Sequence, residues 1–189
     1  PALIYLPADQ GSAHPEVVKR CQEAGVPVAA LMPRVYSDRE TLALEEDLAA
    51  LRRIGVDQVL AGTLGAVRRA AQLGFSVRGD YGLGVYNSQT MKELKRLGLI
   101  SATASFELKL AQIRDLSKAI PTELIAYGRL PLMITENCII HNHSGQHTCS
   151  NVNLLTDRKG EWFPVVQAYG CRNEILNSKK LFLADRTQD

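Results

Sequence analysis

Residues 134–153, ITENCIIHNHSGQHTCSNVN, hold two of the chain's four cysteines and three of its four histidines. Thiolates and imidazoles are ligands for zinc, copper and iron–sulfur clusters. The candidate metal ligands are Cys138, Cys149 and His147 in this stretch, and Cys171 farther along. The cysteines form no CxxC pair, so a structural role stays open: Cys171 as a hairpin residue and Cys138 as a small buried apolar group.

The composition is that of a globular protein. Of 189 residues, 46% are hydrophobic and 22% are charged, and the net charge of +2 does not by itself indicate binding to nucleic acid or membrane. No run of apolar residues is long enough for a membrane helix, and no leader is visible. The cysteine pattern is unlike a secreted disulfide framework, so we expect a reducing, cytoplasmic setting. Because the chain begins at Pro1 without methionine, we expect a piece of a longer protein.

Residues 1–130 repeat one pattern, in which a helical segment closes on glycine and an apolar run follows. The pattern predicts strands near residues 2–6, 27–32, 57–61, 76–80, 101–106 and 123–128, with a helix in each gap. Strict alternation of this kind predicts an α/β fold with a parallel sheet. No glycine-rich phosphate loop follows the first strand, so we expect a partial or complete (β/α) TIM-like barrel rather than a nucleotide-binding sheet.

Residues 131–189 follow a different pattern. The segment NLLTDRKGEWFPVV predicts two strands joined by a turn at residues 157–160, which is a β-hairpin. We therefore expect a barrel portion over residues 1–130, and a Cys/His loop with a cysteine-bearing β-hairpin extension over residues 131–189. We expect this extension to pack on the carboxyl end of the barrel, where barrel loops carry the chemistry.

Polar residues that follow the predicted strands are the candidate site residues. Asp80, Asn87 and Glu107 are candidate acid–base residues. Arg34, Tyr81 and Arg129 are candidates for binding an anionic substrate, and Arg172 is a further candidate for such an anion pocket. The alternative is that these side chains satisfy loop backbone groups and pair with one another.

The segments RGDYGLGVYNS, SATASFE, ELIAYGRLPLMITENC, LTDRKGEWFPVV and EILNSKKLFLAD together resemble peptidase family U32, the collagenase-like proteins. The resemblance covers most of the chain, which looks like the carboxy-terminal barrel portion of a longer member, at the end of the family's catalytic domain. The family signature has a Glu, a Gly five residues later, a Cys three residues after that, and another Cys seven residues farther. Glu123, Gly128 and Cys138 match three of these positions, and Pro131 stands at the position of the first cysteine.

The resemblance implies a collagenase-like peptidase by name, with Glu123 added to the candidate catalytic residues. It also implies a second possibility, because other members resemble enzymes that use a [4Fe-4S] cluster to hydroxylate RNA or a small aromatic substrate. On that analogy Cys138, Cys149 and Cys171 are cluster ligands, with His147 as a fourth ligand that also suits zinc. Because the side chain of Pro131 has no atom that can bind a metal, the alternative is a non-catalytic barrel module with a structural zinc or an empty site. The expected partners are the remaining domains of a longer bacterial-type protein and an RNA or peptide substrate, with no membrane.

Overall fold

The chain divides into two compact units, Pro1–Leu124 and Ile125–Asp189. The architecture is taken from a computed structural model that describes residues 1–146, 148, 153–183 and 185. The predicted boundary at residues 130 and 131 falls within the first strand of the second unit, Tyr127–Thr135.

The first unit alternates strands and helices. Its elements are β1 (Ile4–Pro7), α1 (Ala8–Ala13), α2 (Pro15–Glu23), β2 (Val28–Leu31), α3 (Thr41–Arg53), β3 (Gln58–Ala61), α4 (Leu64–Gln72), β4 (Ser76–Gly79), α5 (Ser88–Arg96), β5 (Ser101–Thr103), α6 (Leu110–Asp115) and β6 (Thr122–Glu123). The six strands form one parallel sheet in the order β1-β2-β3-β4-β5-β6. The first five predicted strands are present, several of them shorter than predicted. The sixth, predicted near residues 123–128, shares only Glu123 with β6, and residues 127 and 128 begin the first strand of the second unit.

The sheet is a curled half-barrel, not a complete TIM barrel. Neighbouring strands along the chain are neighbours in the sheet, as in a barrel wall. The curl brings a side chain of β1 within hydrogen-bonding distance of one on β6, the opposite edge of the sheet. The described residues of this unit supply six strands, whereas a closed TIM barrel has eight. The α/β prediction is confirmed, and of its two forms the partial barrel is the one the structure has.

Local sequence signals account for the helices that cover this sheet. A short 3-10 turn, Asp38–Glu40, precedes α3, and Ser37 and Glu40 form a capping box there. Leu44, Leu48 and Leu51 on α3 are fully buried, as their helical spacing predicts. Burying three leucines on one face removes their apolar surface from water and fixes α3 against its neighbours.

The second unit is a four-stranded antiparallel sheet with one short helix. Its elements are β7 (Tyr127–Thr135), α7 (Ile139–Ser144), β8 (Asn153–Thr156), β9 (Trp162–Gln167) and β10 (Asn173–Phe182), and the strand order is β7-β10-β9-β8. Strands β8 and β9 pair on either side of the turn at residues 157–160, where the sequence predicted a hairpin. This hairpin is only part of the sheet, because β10 pairs with β9 and β7 pairs with β10.

A small apolar core stabilises this second unit. Cys138, Ile140, Val165 and Ile175 are buried together, with Ile139 and Phe163 packed against them. The core thus joins α7 to strands β9 and β10. Among the described residues of both units, no helix is long and apolar enough to cross a membrane.

Candidate active site

Asp80, Tyr81 and Arg34 come together at the carboxyl ends of neighbouring strands. Asp80 directly follows β4, and its backbone N–H donates to the carbonyl of Ala61 at the end of β3. The Asp80 carboxylate accepts a 2.8 Å hydrogen bond from the backbone N–H of Tyr81. The Arg34 guanidinium, which follows β2, donates to the Tyr81 hydroxyl at 2.7 Å. Three residues predicted separately from strand ends therefore form one cluster.

The Asp80 side chain is unusual because it is a buried carboxyl group, only 8% exposed. Burial raises its pKa above the ordinary value, and the negative charge of Glu123 adds to the increase. The Tyr81 N–H and the Arg34 guanidinium oppose this shift, since both stabilise the carboxylate. A carboxyl group with a raised pKa can exchange a proton nearer to neutral pH than an ordinary aspartate.

Glu123 lies in a hydrogen-bond network that spans the half-barrel. One carboxylate oxygen accepts from Arg78 at 2.9 Å and from Ser101 at 2.6 Å. The other oxygen accepts from the Tyr5 hydroxyl at 2.5 Å. Arg78 also donates to the side chain of Gln58 at 2.7 Å and to Ser101 at 3.0 Å. Strands β1, β3, β4, β5 and β6 each contribute one side chain to this network.

The network lowers the pKa of the Glu123 carboxyl group and raises the pKa of the Tyr5 hydroxyl group. Burial favours protonation of Glu123, but hydrogen bonds from Ser101, Tyr5 and Arg78 outweigh it and lower the pKa of Glu123. Burial raises the pKa of Tyr5, and its hydrogen bond to the Glu123 carboxylate raises it further. Glu123 is therefore held as an ionised carboxylate while Asp80 is shifted toward its neutral form. Two carboxyl groups with diverging pKa values are a common arrangement in acid–base catalysis.

Asn87 and Glu107, the other two candidate acid–base residues, lie on the exposed surface. The Asn87 side-chain oxygen caps α5 by accepting from the backbone N–H groups of Gln89 and Thr90. Glu107 accepts a 2.9 Å hydrogen bond from the Tyr86 hydroxyl. Among the residues that the structure describes, neither makes a hydrogen bond to the Asp80 cluster or to the Glu123 network.

Arg129 and Arg172, both predicted to bind substrate, belong to the second unit. The Arg129 guanidinium lies over the Trp162 ring, 4.7 Å from its centroid, and donates to the carbonyls of Asn177 and Ser178. Arg172 is buried and forms a two-point ion pair with Glu136. Both guanidinium groups thus have partners within the second unit.

Two of the four candidate metal ligands are described by the structure. Cys138 is buried at the start of α7, and its sulfur accepts a hydrogen bond from the His141 backbone N–H at 3.4 Å. Cys171 is exposed in the turn between β9 and β10. Cys149 and His147 lie outside the described residues. Within the described part of the chain, no three His, Cys, Asp or Glu side chains are grouped closely enough to hold a metal ion.

Sequence reasoning missed four members of the Glu123 network: Tyr5, Gln58, Arg78 and Ser101. Each stands within a predicted strand rather than after it, so the search for residues beyond strand ends passed over them. A signal was nonetheless present, because a polar side chain inside a short apolar strand must find a partner when it is buried.

Comparison with protein-family models identifies the family of this chain. The family model of peptidase family U32 matches residues 11–152. A solved structure described as "The Structure of the U32 Peptidase Mk0906" is similar with a TM-score of 0.49 and 17% sequence identity, and the match covers 67% of this chain. This chain spans 60% of the length of that one. The comparison with curated proteins gives no match. Because the family model matches well over half of its residues, the chain belongs to peptidase family U32.

Proposed function

We propose that the half-barrel is the substrate-binding and catalytic unit of a U32-family hydrolase that cleaves peptide bonds, with Asp80 as its acid–base residue. The observation that carries this proposal is the buried Asp80 carboxyl beside the Arg34–Tyr81 pair, at the carboxyl ends of β4 and β2. In folds built from alternating strands and helices, ligands bind at this end of the sheet.

The residues of the cluster match what hydrolysis requires. A water molecule must lose a proton to a base, and the negative charge that develops on the carbonyl oxygen needs a positive or hydrogen-bonding partner. Asp80 supplies the base, and Arg34, held by its 2.7 Å hydrogen bond to Tyr81, supplies the positive charge. The Glu123 carboxylate already accepts hydrogen bonds from three side chains, so we assign it an electrostatic and positioning role.

The test is cleavage of gelatin-derived peptides by the full-length protein that contains this chain. We expect Asp80→Asn to lower kcat/KM by about 10²–10⁴-fold, which is the usual contribution of a general acid or base. Glu107→Gln is the matched control, because Glu107 is a carboxylate bonded to a tyrosine at the exposed surface. Loss of cleavage in Glu107→Gln with normal cleavage in Asp80→Asn would transfer the acid–base role to Glu107.

A second candidate function concerns the thiols of the second unit. Cys138 is a buried thiol that accepts a backbone N–H, and hydrogen bonds of this kind to sulfur tune metal–thiolate centres. We propose a metal site formed by Cys138, Cys149 and Cys171 with His147, which serves either cluster-dependent hydroxylation of RNA or a small aromatic substrate, or a non-catalytic binding module. The remaining domains of a longer parent protein are its proposed partners.

The donors present fit a mixed cysteine–histidine site better than a four-thiolate cluster. Pro131 stands where the family pattern has a cysteine, and it pairs with Leu176 inside the β7–β10 ladder. Cys21, the fourth cysteine, lies on helix α2 of the half-barrel. Three thiols with one imidazole are a common ligand set for structural zinc, whereas a [4Fe-4S] cluster normally takes four thiolates.

Metal analysis of protein purified without oxygen separates these alternatives. Zinc at one equivalent that is lost in Cys138→Ser supports the structural site. Iron with sulfide, lost in the same variant, supports the hydroxylase. If the protein retains neither metal and does not bind added zinc or iron, the metal site is excluded. The hydrolase proposal then stands alone.

A further inference from the structure

Thr103 stands between Asp80 and Glu123 in a row of residues across three neighbouring strands. On one side, Gly79 at the end of β4 pairs with Ala102, so Asp80 and Thr103 occupy the next positions on their strands. On the other side, Thr103 pairs with Glu123 in the β5–β6 ladder. Because neighbouring strands lie about 4.8 Å apart, Thr103 is one strand away from each acidic residue.

The side chain of Thr103 lies on the inner face of the sheet, which we define as the face that carries the Glu123 network. Successive side chains of a strand point to opposite faces, so Thr103 shares the face of Ser101. The Ser101 hydroxyl donates to Glu123 at 2.6 Å, within that network. The chain stays extended beyond Thr103, because Ala104 still forms a parallel β-bridge. Ser105 therefore lies on the inner face as well.

The hydroxyl group of Thr103 has an unused capacity for hydrogen bonds, although the residue is only 5% exposed. It makes no hydrogen bond to any residue that the structure describes. Every fully enclosed side-chain nitrogen or oxygen in the described part of the chain has a partner, so the Thr103 oxygen opens onto the space inside the half-barrel. Ser105, only 4% exposed, accepts the Glu107 backbone N–H at 3.3 Å but donates its own proton to no described residue. Since buried polar groups nearly always have a partner, both hydroxyls indicate a bound water or ligand.

The Asp80 carboxylate and Arg34 border the same space. A β-carbon added at Gly62 would lie 3.6 Å from Oδ2 of Asp80 and 3.7 Å from Cγ of Arg34, so Gly62 leaves room beside both. The Tyr81 N–H donates to the other carboxylate oxygen, Oδ1. Oδ2 accepts no hydrogen bond from the residues that the structure describes. A ligand bound by the two hydroxyls would therefore lie next to an available carboxylate oxygen.

We propose that Thr103 and Ser105 bind the main chain of an extended peptide substrate and hold its scissile bond beside Asp80. The inference rests on the hydrolase function proposed above and identifies residues that bind its substrate.

The chemistry of the two hydroxyls fits a peptide main chain. A hydroxyl group both donates and accepts hydrogen bonds, and each peptide unit offers one N–H donor and one carbonyl acceptor. Residues two apart on an extended strand repeat every 6.6 Å or so, which is about the separation of positions 103 and 105 and also of alternate residues in an extended peptide. A bound peptide can therefore meet both hydroxyls with main-chain groups, whatever its side chains are.

The experiment measures peptide binding apart from cleavage. The full-length protein that contains this chain carries Asp80→Asn, so that it does not cut the probe, a fluorescein-labelled gelatin-derived peptide. Fluorescence anisotropy gives its dissociation constant. Thr103→Val is then added, because it replaces the hydroxyl by a methyl group of similar size. Thr90→Val is the matched control, since the Thr90 hydroxyl bonds to Asn87 on the exposed surface of α5.

We expect Thr103→Val to weaken peptide binding by about 3–10-fold, the usual effect of losing one neutral hydrogen bond, while Thr90→Val binds normally. Thr103→Ser, which keeps the hydroxyl, should restore the affinity. In the protein with Asp80 intact, Thr103→Val should raise KM by a similar factor and leave kcat unchanged, because the hydroxyl binds the substrate and the transition state alike.

Thermal unfolding separates substrate binding from a structural role. Ser101→Ala should lower the melting temperature, because the Ser101 hydroxyl bonds to both Glu123 and Arg78. Thr103→Val removes no hydrogen bond within the described chain, so its melting temperature should stay the same or rise. A decrease as large as that of Ser101→Ala would show that the Thr103 hydroxyl has a structural partner and would overturn the inference.

The binding data distinguish this inference from the hydrolase proposal. If the unmodified protein cleaves the peptide and Thr103→Val binds it with unchanged affinity, the role of Thr103 is wrong and the hydrolase proposal stands. If binding depends on Thr103 but the unmodified protein cleaves nothing, the peptide site is supported and the proposed hydrolysis is wrong. A peptide that binds to none of these proteins overturns both.

Discussion

The Tyr5 hydroxyl donates a 2.5 Å hydrogen bond to Glu123, and these two residues stand on β1 and β6, the opposite edges of the parallel sheet. A single side-chain contact therefore spans the open side of the half-barrel.

Tyr5→Phe removes the hydroxyl without changing the ring. We expect the free energy of unfolding of the first unit to fall by about 1.5–3 kcal/mol, because hydrogen bonds to a charged partner contribute that much. Urea unfolding followed by helical circular dichroism measures it, since α1–α6 lie in this unit. Tyr86→Phe is the control: it removes an exposed tyrosine–glutamate bond, so its cost should stay within about 0.5 kcal/mol. Equal losses in both variants would contradict a special role for the Tyr5 contact.

Glu123→Gln should destabilise the first unit in a pH-dependent way. The pKa of Glu123 is lower in the folded state than in the unfolded chain, so its stabilisation is fully present above the unfolded value of about 4.3. It is lost as the pH falls through the lowered folded pKa. We therefore expect the difference from the unmodified chain to be large at neutral pH and to shrink in acid. Urea unfolding at a series of pH values measures it, and a constant difference would argue against an ionised Glu123.

Asp80→Asn should show the opposite dependence. Because the folded pKa of Asp80 is raised, ionising this carboxyl costs stability as the pH rises from the unfolded value of about 3.9 through the folded pKa. An asparagine side chain does not ionise, so it carries no such cost. Its side-chain oxygen still accepts the hydrogen bond from the Tyr81 N–H. We expect Asp80→Asn to gain stability relative to the unmodified chain between acid and neutral pH while cleavage is lost. A variant that is less stable at neutral pH than in acid, compared with the unmodified chain, would refute the raised pKa.

Gly82→Ala tests the turn that carries Tyr81. A β-carbon at Gly82 would lie 2.5 Å from the Gly62 carbonyl oxygen, which belongs to the backbone and cannot rotate away. We expect a loss of about 1–3 kcal/mol in the free energy of unfolding, as for other overpacked sites, and a displaced Asp80–Tyr81 turn. Gly65→Ala is the control, because a β-carbon at Gly65 meets nothing within 4 Å. Thermal unfolding of both variants provides the comparison, and equal melting temperatures would show that the turn adapts.

Much of the half-barrel was predictable from the sequence, because its signals are local. Ser37 and Glu40 form the capping box that their spacing predicts, and the leucines of α3 are buried as their period predicts. Gly74 and Gly98 have positive φ angles, of 80° and 86°, that glycine alone adopts readily, so they mark helix ends. The grouping of Asp80 with Arg34 followed from a general rule about the carboxyl ends of parallel strands.

The tertiary structure decided which polar residues share partners. Tyr5 and Glu123 are separated by 118 positions, and no local pattern indicates that one donates to the other. The same holds for the two-point pair between Arg172 and Glu136, which are separated by 36 positions. Helix caps and strand periods depend on neighbours a few residues away, and sequence therefore determines them. Hydrogen bonds across a sheet depend on curl and register, which are set only when the whole chain packs.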